Sequence, residues 1–415
     1  MKVLALSTYP IRAPLHGGQR RVAALGDLYR RLGVQFEYAS IYASHYGPAE
    51  VGPNDLRLGH STTDLSALPF VEDLQAGEFA ARSPAAYAHF KRLFERIRPT
   101  VVTLEQPFML PLLQRLRRDG VFFGAVVYSS QNWEPPLKEA MLRRAGISSL
   151  EVSRIGALIE RLEVGALALS DLVIAVSDED ASIYRALDAQ KVVLVGPNGV
   201  DPPPDAPPVR PDLLAPFADR RFFFFVGSAY PPNSEGFTKL VMEEGLYFVP
   251  PEKRFAVCGG ATDQIFAAPG YQRFVGANSD RVQFFSPIDD EGLWSLKLAA
   301  HAILLPIQFG GGSNLKTAEA LVSGKWMVTT SLALRGFEAF KREPGVLTAE
   351  TPRDFRQAMI HVLHQPPLKL TSEQQAKRRT LVWEAALAAS GAEAGLRQFL
   401  DRVAQGVAAA QSGAG

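Results

Sequence analysis

Cysteine is almost missing from this chain of 415 residues, with Cys258 the single one. That excludes a disulfide framework within one chain and suits a reducing cytosol. Long apolar runs are missing as well. No stretch approaches the roughly eighteen residues that a membrane span needs. The opening MKVLALSTYP is too short and too broken for a signal peptide and reads as a strand. Neither charge sign dominates. Net charge is +1, and residues 1–200 carry 22 Lys+Arg against 21 Asp+Glu, leaving 22 and 22 for the rest. Such balance is no footprint for nucleic acid. The seven histidines are scattered, so they offer no metal-ligand spacing. No internal repeat stands out at solenoid periods.

What is present is strand and helix in alternation, over two halves. The first holds the strand-like runs Lys2–Ser7, Phe36–Tyr42, Val101–Leu104, Val121–Tyr128, Leu172–Val176 and Val192–Val195, with helices such as Arg20–Leu32 and Ser153–Leu169 between them. Eight prolines fall in the twenty positions 197–216. That density fits neither a helix nor a central strand and reads as a semi-rigid linker. The pattern restarts with Phe222–Val226, Phe255–Cys258, Val282–Phe285, Ala302–Leu305 and Trp326–Thr330. The expectation is an α/β chain of two doubly wound, Rossmann-like domains facing a cleft. Residues 1–200 form the first domain, 201–218 the linker and 219–370 the second. Closing helices over 371–407 pack back toward the first domain, and 408–415 form a disordered tail. In open α/β sheets, ligands bind beyond the carboxyl ends of the strands.

One stretch stands out, FGGGSNLKTAEALVSGKWMVTT from Phe309 to Thr330. A buried strand precedes it. Gly310, Gly311 and Gly312 follow, Ser313 and Asn314 offer caps, and Leu315–Val322 is a good helix. This grammar aims backbone N–H groups and a helix dipole at an anion above the loop. Lys316 adds a full positive charge in the first turn. The stretch therefore reads as a phosphate cradle for a nucleotide-bearing ligand, with a purely structural turn as the alternative. Gly310, Lys316 and Thr317 also stand at the offsets of the triphosphatase phosphate loop, but Leu315 sits where that motif needs glycine. Glu319, three residues after Lys316, is either half of an exposed pair or a carboxylate that accepts bonds from ribose hydroxyls.

Other segments carry weaker signals. Asp178-Glu179-Asp180 could pass for a metal-binding acidic triplet. Ser177 before it and Asp180 three residues on instead make a capping box at a helix start. Near the amino terminus, Pro14-Leu15-His16-Gly17-Gly18-Gln19 joins the first strand to the first helix. Its glycine pair either lets backbone approach a ligand or simply forms a loop. Glu105-Gln106-Pro107 and Gln131-Asn132-Trp133-Glu134 each follow a strand at its carboxyl end. Polar groups beside a tryptophan suit a sugar, and capping or packing explains them as well. The basic, part-apolar segment His89–Arg98 reads as a helix with one core-facing stripe or as a contact with anionic lipid.

Five motifs occur in a telling order: TYPIRAPLHGGQRRV, SDLVIAVSDED, VGPNGVD, FVGSAYPPNSEGF, and the glycine loop through LRGFE. In that order the chain resembles the retaining glycosyltransferases of family four, in their glycine-rich loop variant, with the GT-B fold. The resemblance implies that the second domain holds a sugar nucleotide and the first presents the acceptor. Glu319 matches the glutamate that grips the ribose. Gly310–Lys316, including Gly311, Gly312, Ser313, Asn314 and Leu315, match the loop that meets the diphosphate and donor sugar. Gly17 and Gly18 match the pair that closes over the diphosphate. Gly227, Ser228 and Gly259 fall on the donor side, and Ser286 through Ile288 to Asp289 where the base is held. His16, Glu105, Gln106, Gln131, Asn132 and Trp133 fall on the acceptor side.

The chain departs from the family pattern in three places. Gly311 replaces a first glutamate. Ser228, Asn233 and Ser234 stand where an arginine and a lysine are common, so Lys316 and the loop amides carry more of the charge. Gln131 stands where histidine is frequent. The implied activity is metal-independent sugar transfer, with retention, from a nucleotide-diphosphate sugar to a carbohydrate or lipid-linked acceptor. No cofactor is expected beyond the donor, in the cytoplasm or at the inner face of the membrane, as in polysaccharide assembly. A sugar-nucleotide epimerase of the same fold and a catalytically silent nucleotide-sugar binder are the alternatives.

Overall fold

The computed structural model describes residues 1–59, 65, 68–206, 208–218, 220–309 and 315–412. The chain divides into two compact units, residues 1–197 with 386–415, and residues 198–385. Each is built on a parallel sheet.

In the first unit the strands are β1 Lys2–Ser7, β2 Gln35–Tyr42, β3 Leu56–Arg57, β4 Val101–Leu104, β5 Ala125–Ser129, β6 Leu172–Ala175 and β7 Val193–Val195. Their spatial order is β3-β2-β1-β4-β5-β6-β7. In the second they are β8 Phe223–Val226, β9 Phe255–Cys258, β10 Val282–Phe285, β11 Ala302–Leu305, β12 Trp326–Thr329 and β13 Val346–Thr348. Their order is β10-β9-β8-β11-β12-β13. In each sheet the chain winds outward one way, returns to the centre, and winds the other way. The crevices at the reversals, β1/β4 and β8/β11, are where such sheets bind ligands.

The run of four phenylalanines at 222–225 shows why both faces of a sheet must be covered. Phe223 and Phe225 enter one apolar cluster, while Phe222 and Phe224 enter another on the opposite face. Side chains alternate along a strand, so an unbroken apolar run needs helices on both sides. The helix Pro231–Val241 lies so close to the loop after β11 that a Cβ at Gly236 would stand 1.9 Å from the Pro306 carbonyl oxygen. Gly236→Ala should therefore force the helix away and lower stability by about 1–3 kcal/mol. A denaturant titration checks this, with the midpoint shifted and the slope unchanged.

Three boundaries differ from the sequence reading. The proline-rich stretch is part of the second unit, with a helical turn at Pro211–Leu214 and a fully buried Phe217. Proline at the first helical position is no obstacle, because its missing N–H is not needed there. The closing helices split between the units. Helix Ser372–Arg379 belongs to the second, while Ala392–Ser412 belongs to the first, where Leu396, Phe399 and Leu400 pack with Val3 and Ile174. That last helix runs through 408–412, which the sequence reading left disordered. An alanine run continues a helix at little cost.

The helix Pro84–Ile97, capped by Arg98, holds the basic segment read as a helix with one core-facing stripe or as a lipid contact. Phe90, Leu93, Phe94 and Ile97 are all buried in the core of the first unit. Its apolar face is thus committed inward. Among the described residues, no helix is long and apolar enough to cross a membrane.

Candidate functional site

The β8/β11 crevice of the second unit holds Gly227, Ser228, Leu315, Lys316 and Glu319 of the expected donor set. Gly227 and Ser228 follow β8, and helix Leu315–Val322 follows β11. Lys316 Nζ donates to Asn233 Oδ1 at 2.5 Å, and Asn233 Nδ2 donates to the Ser228 carbonyl oxygen at 3.1 Å. These two bonds tie the β8 side of the crevice to the β11 side. Burial pushes the Lys316 ammonium down to about 8, against the opposing pull of Glu319. Desolvation of this kind makes an anionic guest electrostatically valuable.

Glu319 has a partner that sequence spacing did not find. Lys297 Nζ lies 2.6 Å from Glu319 Oε2, with both side chains largely buried. Lys297 comes from helix Asp290–Ala299 and also stands over the Trp294 ring, 4.5 Å from its centre. Glu319 is therefore half of a buried pair with Lys297, while its charge still acts on Lys316. Lys297 and Glu319 are 22 residues apart, and no local pattern announces their meeting.

The glycines after β8 and β9 are fitted to each other. Gly259 has φ +84°, and a Cβ there would stand 2.6 Å from the Gly227 carbonyl oxygen. Gly227 N–H donates to the Cys258 carbonyl. Ser286 begins the turn after β10, and Ile288 packs into the apolar cluster beneath it. Asp289 then caps the next helix, accepting from Gly292 N–H at 2.7 Å. Leu315 is the first residue of its helix. Gly310, Gly311, Gly312, Ser313 and Asn314 lie outside the described residues.

In the first unit, helix Gly17–Arg31 begins at the glycine pair, three residues earlier than the sequence reading placed it. His16 is its cap, completing a reciprocal box with Gln19. Its Nε2 meets the Tyr46 hydroxyl at 3.1 Å, and its ring packs edge-on against Tyr9. Burial, then His45, pushes His16 down to about 4, so it is neutral near pH 7. A Cβ at Gly18 would stand 2.6 Å from Gln131 Oε1 and 2.7 Å from the Tyr9 hydroxyl. Gln131 donates to that same hydroxyl. The structure thus brings His16, Gly17, Gly18 and Gln131 together around Tyr9, a residue the sequence reading missed.

Glu105 and Gln106 lie deeper than an acceptor rim would require. Glu105 is 1% exposed, accepts from the Thr103 hydroxyl, and has its carboxyl pushed up by burial. Gln106 Oε1 accepts from the Thr8 hydroxyl at 2.6 Å, bridging the β1 and β4 ends. Trp133 packs against Tyr184, with ring centres 5.8 Å apart, and its backbone N–H donates to Asp180 Oδ1. Asn132 donates to Glu134 Oε1. Ser177 caps this helix, accepting from Asp180 N–H while its hydroxyl donates to the Asp180 carboxylate, so the acidic triplet is a helix start and the expected reciprocal box is a simple cap. Among the described residues, no group of histidine, cysteine and carboxylate side chains could hold a metal.

A buried carboxyl lies beneath this segment. Glu163 accepts from the Tyr128 and Tyr184 hydroxyls at 2.6 and 3.0 Å and from Glu134 N–H at 3.1 Å. Its signal was legible, since it continues the stripe Val152, Ile155, Ile159 on the buried face of its helix. Burial pushes Glu163 up to about 8 and Glu134 to about 7. A carboxyl raised in this way binds more protons folded than unfolded between its unfolded value of 4.5 and about 8. Its contribution is complete below that window and is lost as pH rises through it. Glu163→Gln should therefore flatten the fall in melting temperature between pH 5 and 8, checked by melts at each pH.

No family model matches the chain, and no curated protein matches it. Solved structures do. Sucrose-phosphate synthase from Thermosynechococcus elongatus superposes with TM-score 0.69 at 16% identity, over 99% of this chain and 100% of that one. An E. coli trehalose-6-phosphate protein bound with UDP-2-fluoro glucose gives 0.60 at 12%, over 97% and 99%. WaaG, a glycosyltransferase involved in lipopolysaccharide biosynthesis, gives 0.59 at 14%, over 96% and 99%. The fold is GT-B. At these identities the likeness is one of fold.

Proposed function

We propose that this chain transfers a sugar from a nucleotide-diphosphate sugar to a hydroxyl of a carbohydrate or lipid-linked acceptor. The tie from Lys316 through Asn233 to Ser228, across the β8/β11 crevice, carries the reading. It puts a partly desolvated ammonium where a doubly wound sheet takes an anionic ligand. The neighbour bound with UDP-2-fluoro glucose supports it by fold analogy.

The reaction breaks the bond between the anomeric carbon and the diphosphate oxygen. Negative charge grows on that oxygen, and Lys316 with the amides of the glycine loop stabilises it. Glu319, braced by Lys297, accepts from the ribose. The departing diphosphate takes the acceptor proton, so no protein nucleophile and no metal ion is required. Retention rests on the family resemblance. His16, Gln131 and Trp133 are placed on the acceptor side, and the cytoplasm is the proposed compartment, with the inner face of the membrane as the place of lipid-linked acceptors.

The test is a thermal-shift screen with UDP-, GDP-, dTDP- and ADP-sugars. One class should raise the midpoint, and that donor should then be consumed only with acceptor present. Inversion of the donor sugar without acceptor would instead make the chain an epimerase. No shift with any donor would overturn the reading.

A further inference from the structure

The second unit has a large basic cavity at the wrong end of its sheet for the donor. Its volume is about 990 Å³. Three neighbouring strands, β8, β11 and β12, are each entered through basic residues that line it: Arg220 and Arg221, His301, and Lys325. Arg378 and Arg379 join them from the last turn of helix Ser372–Arg379. Among the described residues, Asp205 is the one acidic residue of the lining. The donor crevice lies past the carboxyl ends of the same strands, on the far side of the sheet.

Basic residues near helix ends often do no more than answer the helix dipole. Several here do that. Arg221 donates to the carbonyls of Leu363 and Gln365, and His301 meets the Val362 carbonyl at 2.9 Å, all at the end of helix Pro352–His364. Arg378 donates to the carbonyls of Leu321 and Pro344. Arg220 pairs with Glu252 at 2.9 Å, and Glu343 beside Arg378 is neutralised by Lys377.

Two cationic heads remain uncommitted. Among the described residues, neither the Lys325 ammonium nor the Arg379 guanidinium has a hydrogen-bond or ion-pair partner. Burial lowers the Lys325 pKa, and burial first, then the charges of Arg221 and Lys325, lowers that of His301. These groups therefore crowd one another around the same space. Walls of Pro202–Pro204, Val322, Leu368 and Val382 can hold an uncharged body beside the charge. A cavity of this size takes a metabolite.

We propose that this cavity binds a phosphorylated small molecule, its phosphate held by Lys325 and Arg379, at a site separate from the donor crevice. Phosphate is favoured over a lone carboxylate because it offers more acceptor oxygens to an arginine fork and an ammonium together.

The test uses the full chain, calorimetry and glycerol 3-phosphate, which also tells a free phosphate ester from a lipid headgroup. Wild type should bind one equivalent, with affinity falling as salt rises. Lys325→Ala with Arg379→Ala should weaken binding by about tenfold or more, about 1.4 kcal/mol, while Lys316→Ala leaves it unchanged. Arg379→Glu, at an exposed position, serves as the second variant should the double change fail to fold. Absence of glycerol 3-phosphate binding, or full binding by either variant, overturns the site. Binding only to phosphatidylglycerol vesicles, lost in the variants, overturns the small-molecule assignment. Because none of these readouts uses sugar transfer, the site and the proposed activity fail separately.

Discussion

Lys316→Ala is expected to cut sugar transfer by roughly a hundredfold or more, read as kcat/KM with the donor that stabilises the chain. The lysine is the full positive charge in the first turn of the helix after the glycine loop, and its ammonium bridges to Asn233. Because burial lowers its pKa to about 8, it is charged below that pH and discharges above it. Donor affinity of the wild type should therefore weaken as pH climbs past 8, and Lys316→Ala should lose that dependence. A bound diphosphate favours the charged form, so the break in kcat should lie at higher pH than the break in kcat/KM. Stability provides the control. Removing a half-buried ammonium relieves its desolvation and costs Asn233 one donor, a net change within about 1 kcal/mol. Undiminished transfer by a folded Lys316→Ala protein would end the assignment.

The fold was legible in the sequence because buried parallel strands are short apolar runs, and most of them stand within a residue or two of their expected bounds. The exceptions have physical causes. The run Val121–Tyr128 was read as one strand, yet β5 begins only at Ala125, opposite Val101 of β4. No residue of β4 precedes Val101 to pair with 121–124, and Phe122 is left 55% exposed beside Arg98. β3 and β13 are edge strands of two and three residues, too short for periodicity to register.

The site was legible where chemistry is local. Lys316 and Glu319 sit on one helix, and Ser177 caps a helix start three residues before Asp180. It was illegible where chemistry is made by folding. Tyr9 meets Gln131 across 122 positions, and Lys316 meets Asn233 across 83. Glu105 and Gln106 were expected to face a sugar; Glu105 is 1% exposed and holds the Thr103 hydroxyl of its own strand, while Gln106 bridges to Thr8 past β1. A residue at a strand's carboxyl end can serve the ligand or the sheet, and only depth decides which.

Lys297→Met should destabilise the second unit by about 3 kcal/mol, the low end of the range for breaking a buried pair. The low end applies because the Glu319 side chain keeps 18% exposure and can recruit water. Glu319→Gln in the Lys297→Met background should recover much of that loss, since a neutral amide no longer strands a charge. A double-mutant cycle in denaturant measures the coupling. Donor binding should respond in a different order. Lys297→Met removes one tether of the carboxylate, so donor affinity falls while the group that accepts from the ribose is still present. The double variant is stable again but has lost that acceptor, and it should bind donor worst of all. If stability and donor affinity instead recover together, Glu319 is a brace for the helix packing and has no part in gripping the nucleotide. The pair is therefore the point at which a structural role and a binding role can be told apart by experiment.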